Sequence, residues 1–139
     1  MKEITKSKID KISYEIIGAA IEVHKRLGPG LLESIYHKCM KIELEIRGLK
    51  FETELKVPIV YEGCELESTL RCDLFVENLI PVELKSVIDV APVFEAQILT
   101  YMRLLNAPKG ILINFNCKNV FHDGQKTFVN AIYRNLPAE

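Results

Sequence analysis

Neither sign of charge dominates this sequence: 18 Lys and Arg stand against 19 Asp and Glu, for a formal net charge of −1. A chain so balanced has no global attraction toward phosphate or an anionic lipid surface, so any nucleic-acid contact must rest on a local basic patch. CxxC pairs are missing as well. Cys39, Cys64, Cys72 and Cys117 lie scattered, with no histidine at zinc-finger spacing, which leaves buried or half-buried free thiols in place of a structural zinc site. No apolar run is long enough to span a bilayer, and the opening MKEITKSKIDK lacks the apolar stretch of a signal peptide. A soluble protein of a reducing cytoplasm, without membrane contact, is the expectation. GxGxxG, GxxxxGK(S/T) and GxSxG spacings are also lacking, so a redox or nucleotide-binding enzyme has little support. With no repeat, low-complexity tract or linker, and with 48% hydrophobic residues, the 139 residues suit one domain over 1–139 with a core of ordinary size.

What is present is clear periodicity. From Ser7 to Leu27 the apolar residues Ile12, Ile16, Ala19, Val23 and Leu27 line one side of a helix, which Gly28-Pro29-Gly30 stops with a left-handed cap and a proline. A second helix is expected from Leu31 to Arg47, burying the stripe Ile35, Cys39, Ile42 and Ile46 before Gly48. FETELKVPIVY, LESTLRCDLFV and LIPVELKSVI then read as three consecutive antiparallel strands, parted by turns at Glu62-Gly63 and Glu77-Asn78. Pro92 suits the first turn of a third helix over Val93 to Leu105, with Phe94, Ile98, Met102 and Leu105 on one face. GILINF follows as a strand covered on both faces, and residues beyond Asn119 as an edge strand and a short terminal segment. The order is α-α-β-β-β-α-β-β.

The chemistry sits in RCDLFVENLIPVELKS. If Cys72, Leu74 and Val76 share a core with Ile80, Val82 and Leu84, the paired positions have matching parity, and a loop of odd length such as Glu77-Asn78-Leu79 joins the strands. That register sets Asp73 across from Glu83, with Lys85 two residues further on the same face. Two carboxylates and an ammonium within side-chain reach invite Mg²⁺, whose shell one or two carboxylates, waters and substrate phosphate oxygens complete. Lys85 is placed to hold or polarise an attacking water and to offset charge at phosphorus. A solvated sheet face bearing a surface ion pair gives the same spacing, so spacing alone does not choose. His24 and His37 read as a helix-end and a surface histidine, and His122, beside Asp123, as part of a turn.

Taken together, Gly30-Leu31-Leu32-Glu33-Ser34-Ile35-Tyr36, the preceding EVHKRLGPG, the following RCDLFV and VELK, EAQILTY and GILINF resemble, in order, the successive blocks of the small GxxExxY proteins of the PD-(D/E)XK nuclease-like superfamily. The resemblance spans nearly the whole chain. It implies a restriction-endonuclease-like α/β (α+β) fold with a central mixed sheet flanked by helices, and a nuclease dependent on Mg²⁺ or Mn²⁺. By position, Asp73 and Glu83 resemble the metal-binding acids, and Lys85 the catalytic lysine. Glu33 resembles an acid that holds a metal-bound water, while an acid at a helix N-terminus also favours the dipole on its own account. Gln97 and Tyr101, four apart on one helix face, resemble the QxxxY element of RecB-like nucleases, although a core tyrosine and a backbone-capping glutamine would look the same. Tyr36 is open between packing and a hydroxyl aimed at the site. Cys72 stands where the superfamily name has proline.

The partner so implied is nucleic acid, DNA ahead of RNA, with a homo-oligomer or a protein partner left open. Against it stand Glu52, Glu54, Glu62, Glu65 and Glu67, while Lys2, Lys6, Lys8, Lys11, Lys25 and Arg26 form the one concentrated basic stretch. A catalytically silent module of the same fold, binding nucleic acid or a protein, is the alternative.

Overall fold

The computed structural model describes residues 3–139, so Lys2 of the basic stretch lies outside the described residues. Helix α1 (Lys6–Leu27) begins where the Thr5 hydroxyl accepts the Lys8 N–H at 3.1 Å, and it ends at Gly28, φ 69°, whose N–H returns to the His24 carbonyl. Ile9, Ile12, Ile16, Ala19, Ala20 and Val23 are buried along it.

Helix α2 (Glu33–Ile46) is rotated from the expected setting. Tyr36, Met40 and Leu44 are buried, whereas Ile35, Ile42 and Ile46 of the expected core stripe are exposed, Ile46 by 72%. The preceding loop fixes the rotation. The Tyr36 hydroxyl donates to the Gly28 carbonyl at 2.6 Å and accepts the Leu31 N–H at 3.2 Å, and its ring stacks on Phe115 with centroids 4.4 Å apart. These contacts settle Tyr36 as a packing residue that clamps the turn.

Strands β1 (Phe51–Lys56), β4 (Arg71–Val76), β5 (Ile80–Lys85), β6 (Lys109–Asn114) and β7 (Gln125–Val129) form a mixed sheet in the order β1-β4-β5-β6-β7. All neighbours are antiparallel except β5 and β6, which run parallel because helix α3 (Pro92–Leu104) carries the chain between them. The expected three strands are interrupted by a separate hairpin, β2 (Ile59–Tyr61) and β3 (Cys64–Leu66). Pro58, with no N–H to give a ladder, ends β1, and Glu62 and Gly63, at φ 52° and 77°, make the tight turn between β2 and β3. A π-helical turn (Val120–Gly124) precedes β7, and the short helix α4 (Ala131–Arg134) follows it. The mixed α/β architecture, with a five-stranded sheet flanked by helices, is as the sequence leads one to expect.

Both sheet faces are covered. Leu74, Val76, Ile80, Val82, Leu84, Ile111 and Ile113 pack with the buried residues of α1 and α2. On the other face Ile98, Tyr101 and Met102 of α3 meet Val57, Cys72, Phe75 and Ala107. Close approach of α3 to β6 depends on Gly110, where a Cβ would come within 2.8 Å of the Met102 sulfur. Of the four free cysteines, Cys64 is exposed, against expectation, because the β2–β3 hairpin stands outside the main sheet.

Candidate active site

The β4–β5 ladder runs through Val76↔Ile80 and Leu74↔Val82, which places Asp73 across from Glu83 over the three-residue loop Glu77-Asn78-Leu79. At that level side chains take over from the main chain. The Asp73 N–H donates to Glu83 Oε1 at 2.9 Å, and the Leu84 N–H donates to Asp73 Oδ2 at 2.9 Å. Each carboxylate thus fills a ladder position, leaving one oxygen of each acid free of these main-chain bonds.

The alternation assumed for β4 does not hold. Leu74 and Val76 face α1 and α2, but Cys72 packs on the α3 side with Ile98 and Tyr101. Strand β1 changes face at the same level: Phe51 packs with the α1–α2 core and Leu55 with the α3 side. Between them Glu54, at φ 50°, lies opposite Asp73, between the pairs Thr53↔Leu74 and Leu55↔Cys72. A left-handed residue in a strand reverses the side to which the following side chains point, and a non-glycine residue held there is strained.

Glu83 is buried, 4% exposed, and Asp73 half-buried. Burial, and then the charge of Asp73, push the Glu83 carboxyl well above the usual carboxylate range, with Lys85 and the Asp73 N–H pulling the other way. The Lys85 ammonium lies 4.4 Å from the centre of the Phe94 ring, a cation–π contact that holds it beside the first turn of α3. Glu33, in the first turn of α2, has its pKa raised by burial of its carboxyl; Lys85 offsets part of this, Asp73 adds to it, and the Ser86 N–H lowers it. The Ser86 hydroxyl meanwhile donates to the Leu31 carbonyl at 2.7 Å, so the end of β5 is tied to the start of α2.

A cleft of about 280 Å³ opens here, lined by Glu33, Ser34, His37, Glu54, Asp73 and Leu84. His37, expected at the surface, is instead a wall of this cleft, with Nδ1 3.4 Å from Glu54 Oε1 and Nε2 buried without a partner. Its spacing of four from Glu33 was the available signal, since it puts both side chains on one face of α2. Tyr101 lies behind the acids. Its hydroxyl donates to the Arg71 carbonyl at 3.0 Å, and burial, then the charge of Glu83, raise its pKa. Gln97, half-buried, shares the helix face with Tyr101, but among the described residues no hydrogen bond joins it to Asp73, Glu83 or Lys85. His24 Nε2 is 2.8 Å from the Cys117 carbonyl at the end of α1, and His122 is exposed in the π-helical turn.

Among the described residues no group of three or more His, Cys, Asp and Glu is arranged around one metal position. Asp73 and Glu83 converge as a pair. Two hard oxygen donors, one of them raised in pKa by burial and then by the other's charge, fit a small divalent cation that keeps several waters, and do not fit a closed zinc site. A family model described as the PD-(D/E)XK nuclease superfamily matches residues 10–128. No curated protein and no solved structure matches the chain.

Proposed function

Because the chain belongs to the PD-(D/E)XK nuclease superfamily, we propose that it hydrolyses phosphodiester bonds of nucleic acid, DNA ahead of RNA, with Mg²⁺ or Mn²⁺ on Asp73 and Glu83. A divalent cation held there supplies Lewis-acid polarisation of a phosphoryl oxygen and a lowered pKa for its water. The rest falls to the protein's own groups. Lys85 offsets the negative charge that gathers at phosphorus and orients the attacking water, with the Phe94 ring limiting where its ammonium can go. Glu33, tied to the Ser86 N–H, accepts a hydrogen bond from water in the cleft. Tyr101 and Gln97 border the acids from α3, Tyr101 acting through the Arg71 carbonyl that precedes Asp73 by two residues.

The observation that carries this reading is the pair of cross-strand bonds in which Glu83 accepts the Asp73 N–H and Asp73 accepts the Leu84 N–H, which fixes both acids before any ligand arrives. Placement within the GxxExxY branch is part of the proposal, and it is supported by Gly30 at φ 97° and by the clamp that Tyr36 makes on the turn. So are a cytoplasmic setting and the action of 1–139 as one domain. Among the described residues no helix is long and apolar enough to cross a membrane. Labelled DNA and RNA, single- and double-stranded, incubated with Mg²⁺ or Mn²⁺ beside Asp73→Asn and Lys85→Ala, test the whole: cleavage by the parent alone is expected, and equal activity in parent and variants would refute it.

A silent binding module is the second reading, favoured by the lack, among the described residues, of a third His, Cys, Asp or Glu grouped with the two acids, and by the exposed acids Glu52, Glu54, Glu62, Glu65 and Glu67. Calorimetric titration with Mn²⁺ discriminates between them, since a nuclease should bind the metal in an Asp73-dependent way, whereas a silent module need not.

A further inference from the structure

Leu32, Ile35, Cys39, Ile42 and Ile46 are spaced by alternating steps of three and four residues. That alternation is the seam of a two-helix coiled coil, in which each apolar side chain requires a facing helix. Among the described residues α1 borders this seam along one side only, where Cys39 packs toward the core, and no helix covers its outer face. With α2 turning Tyr36, Met40 and Leu44 to the core, Leu32, Ile35, Ile42 and Ile46 are exposed, and Cys39 is half-buried. A shallow groove of about 130 Å³ runs beside the seam, between α1 and α2, lined by Val23, Arg26, Leu27, Cys39, Ile42 and Glu43.

We propose that this seam is a homodimer contact, in which α2 lies antiparallel against α2 of a second copy across a two-fold axis. Charge identifies the occupant. A two-fold pairing centred between Met40 and Lys41 sets Ile35 against Ile46 of the copy and Cys39 against Ile42 of the copy, so the helix complements itself layer by layer. The flank of the seam away from α1 carries Lys38 and Glu45, and the same pairing brings Lys38 beside Glu45 of the copy, twice by symmetry. A parallel pairing would set Lys38 toward Glu43 of the copy instead, and Glu43 is already within 3.8 Å of the Arg47 guanidinium. The contact leaves both clefts open, because Glu33 and His37 lie on the side of α2 opposite Ile42 at 100° per residue. With 14 residues, α2 spans about 21 Å, so the contact is small and a dissociation constant in the micromolar range follows.

Sedimentation equilibrium at about 100 µM, well above that range, reads the outcome. The parent should show twice the 15.9 kDa of one chain, and Ile42→Asp should halve that mass while leaving the circular dichroism unchanged, because Ile42 is outside the core. Lys38→Glu and Glu45→Lys should each weaken association by about tenfold, and the double swap should restore it. A parent that is monomeric at this concentration, or an Ile42→Asp variant that stays dimeric, overturns the proposal and assigns the seam to a different protein partner or to none. Dissociation by Ile42→Asp without restoration by the double swap overturns the antiparallel pairing.

Discussion

Glu83 holds its Oε1 2.9 Å from the main-chain nitrogen of Asp73, the residue whose charge most opposes its own ionisation after burial. The two acids are therefore bound to one another's strands and in electrostatic conflict at once. A cation between them would remove the conflict, and several measurable consequences follow from that.

Stability of the metal-free protein should fall as pH rises. Glu83 has a folded-state pKa raised above its usual 4.5, so between that value and the raised one the folded protein keeps a proton that the unfolded chain releases. Its contribution is complete below pH 4.5 and is lost as pH climbs through the folded pKa, by about 1.4 kcal/mol for each unit of difference. Urea midpoints measured across that window should decline for the parent and stay flatter for Glu83→Gln. Added Mn²⁺ should lift the parent's midpoint on the alkaline side.

Asp73→Asn should keep the fold and lose metal-dependent cleavage. The amide oxygen still accepts the Leu84 N–H, so unfolding should shift little, whereas Asp73→Ala leaves that donor unpaired at about 1–3 kcal/mol. Rates and thermal melts measured side by side on both variants check this.

Lys85→Ala should lower the cleavage rate by about 10²–10⁴ with metal affinity kept, since Lys85 acts on water and phosphate and not as a ligand. Burst kinetics with parallel Mn²⁺ titration would show it; loss of metal binding would contradict the assignment.

Tyr36→Phe should cost about 1 kcal/mol in stability through the lost bonds to the Gly28 carbonyl and the Leu31 N–H, while the stack on Phe115 persists. Denaturant unfolding measures it.

On α2 the two stripes should separate cleanly at concentrations too low for self-association. Met40→Ala, at a position with no exposure, should destabilise by about 2–5 kcal/mol. Ile46→Ala should change stability by less than about 0.5 kcal/mol, because the side chain already faces water.

The two opening helices, the β4–β5 pair, the crossover helix and the strand after it, the three-residue loop from Val76 to Ile80 and the opposition of Asp73 and Glu83 were legible in the chain, because hydrophobic period and turn chemistry are local properties, whereas the β2–β3 hairpin was read as parts of its neighbouring strands. The resemblance of RCDLFV, VELK and the GxxExxY stretch to one superfamily was legible for the same reason. Tertiary structure alone decided which of two apolar stripes α2 buries, since Tyr36 had to reach both Phe115 and the Gly28 carbonyl. It also decided the change of face at Glu54 in β1, the packing of Cys72 in β4 on the α3 side, and the place of His37 in the cleft. Spacing says which side chains share a face of one element; which face is covered, and by what, depends on long-range contacts that no single segment contains.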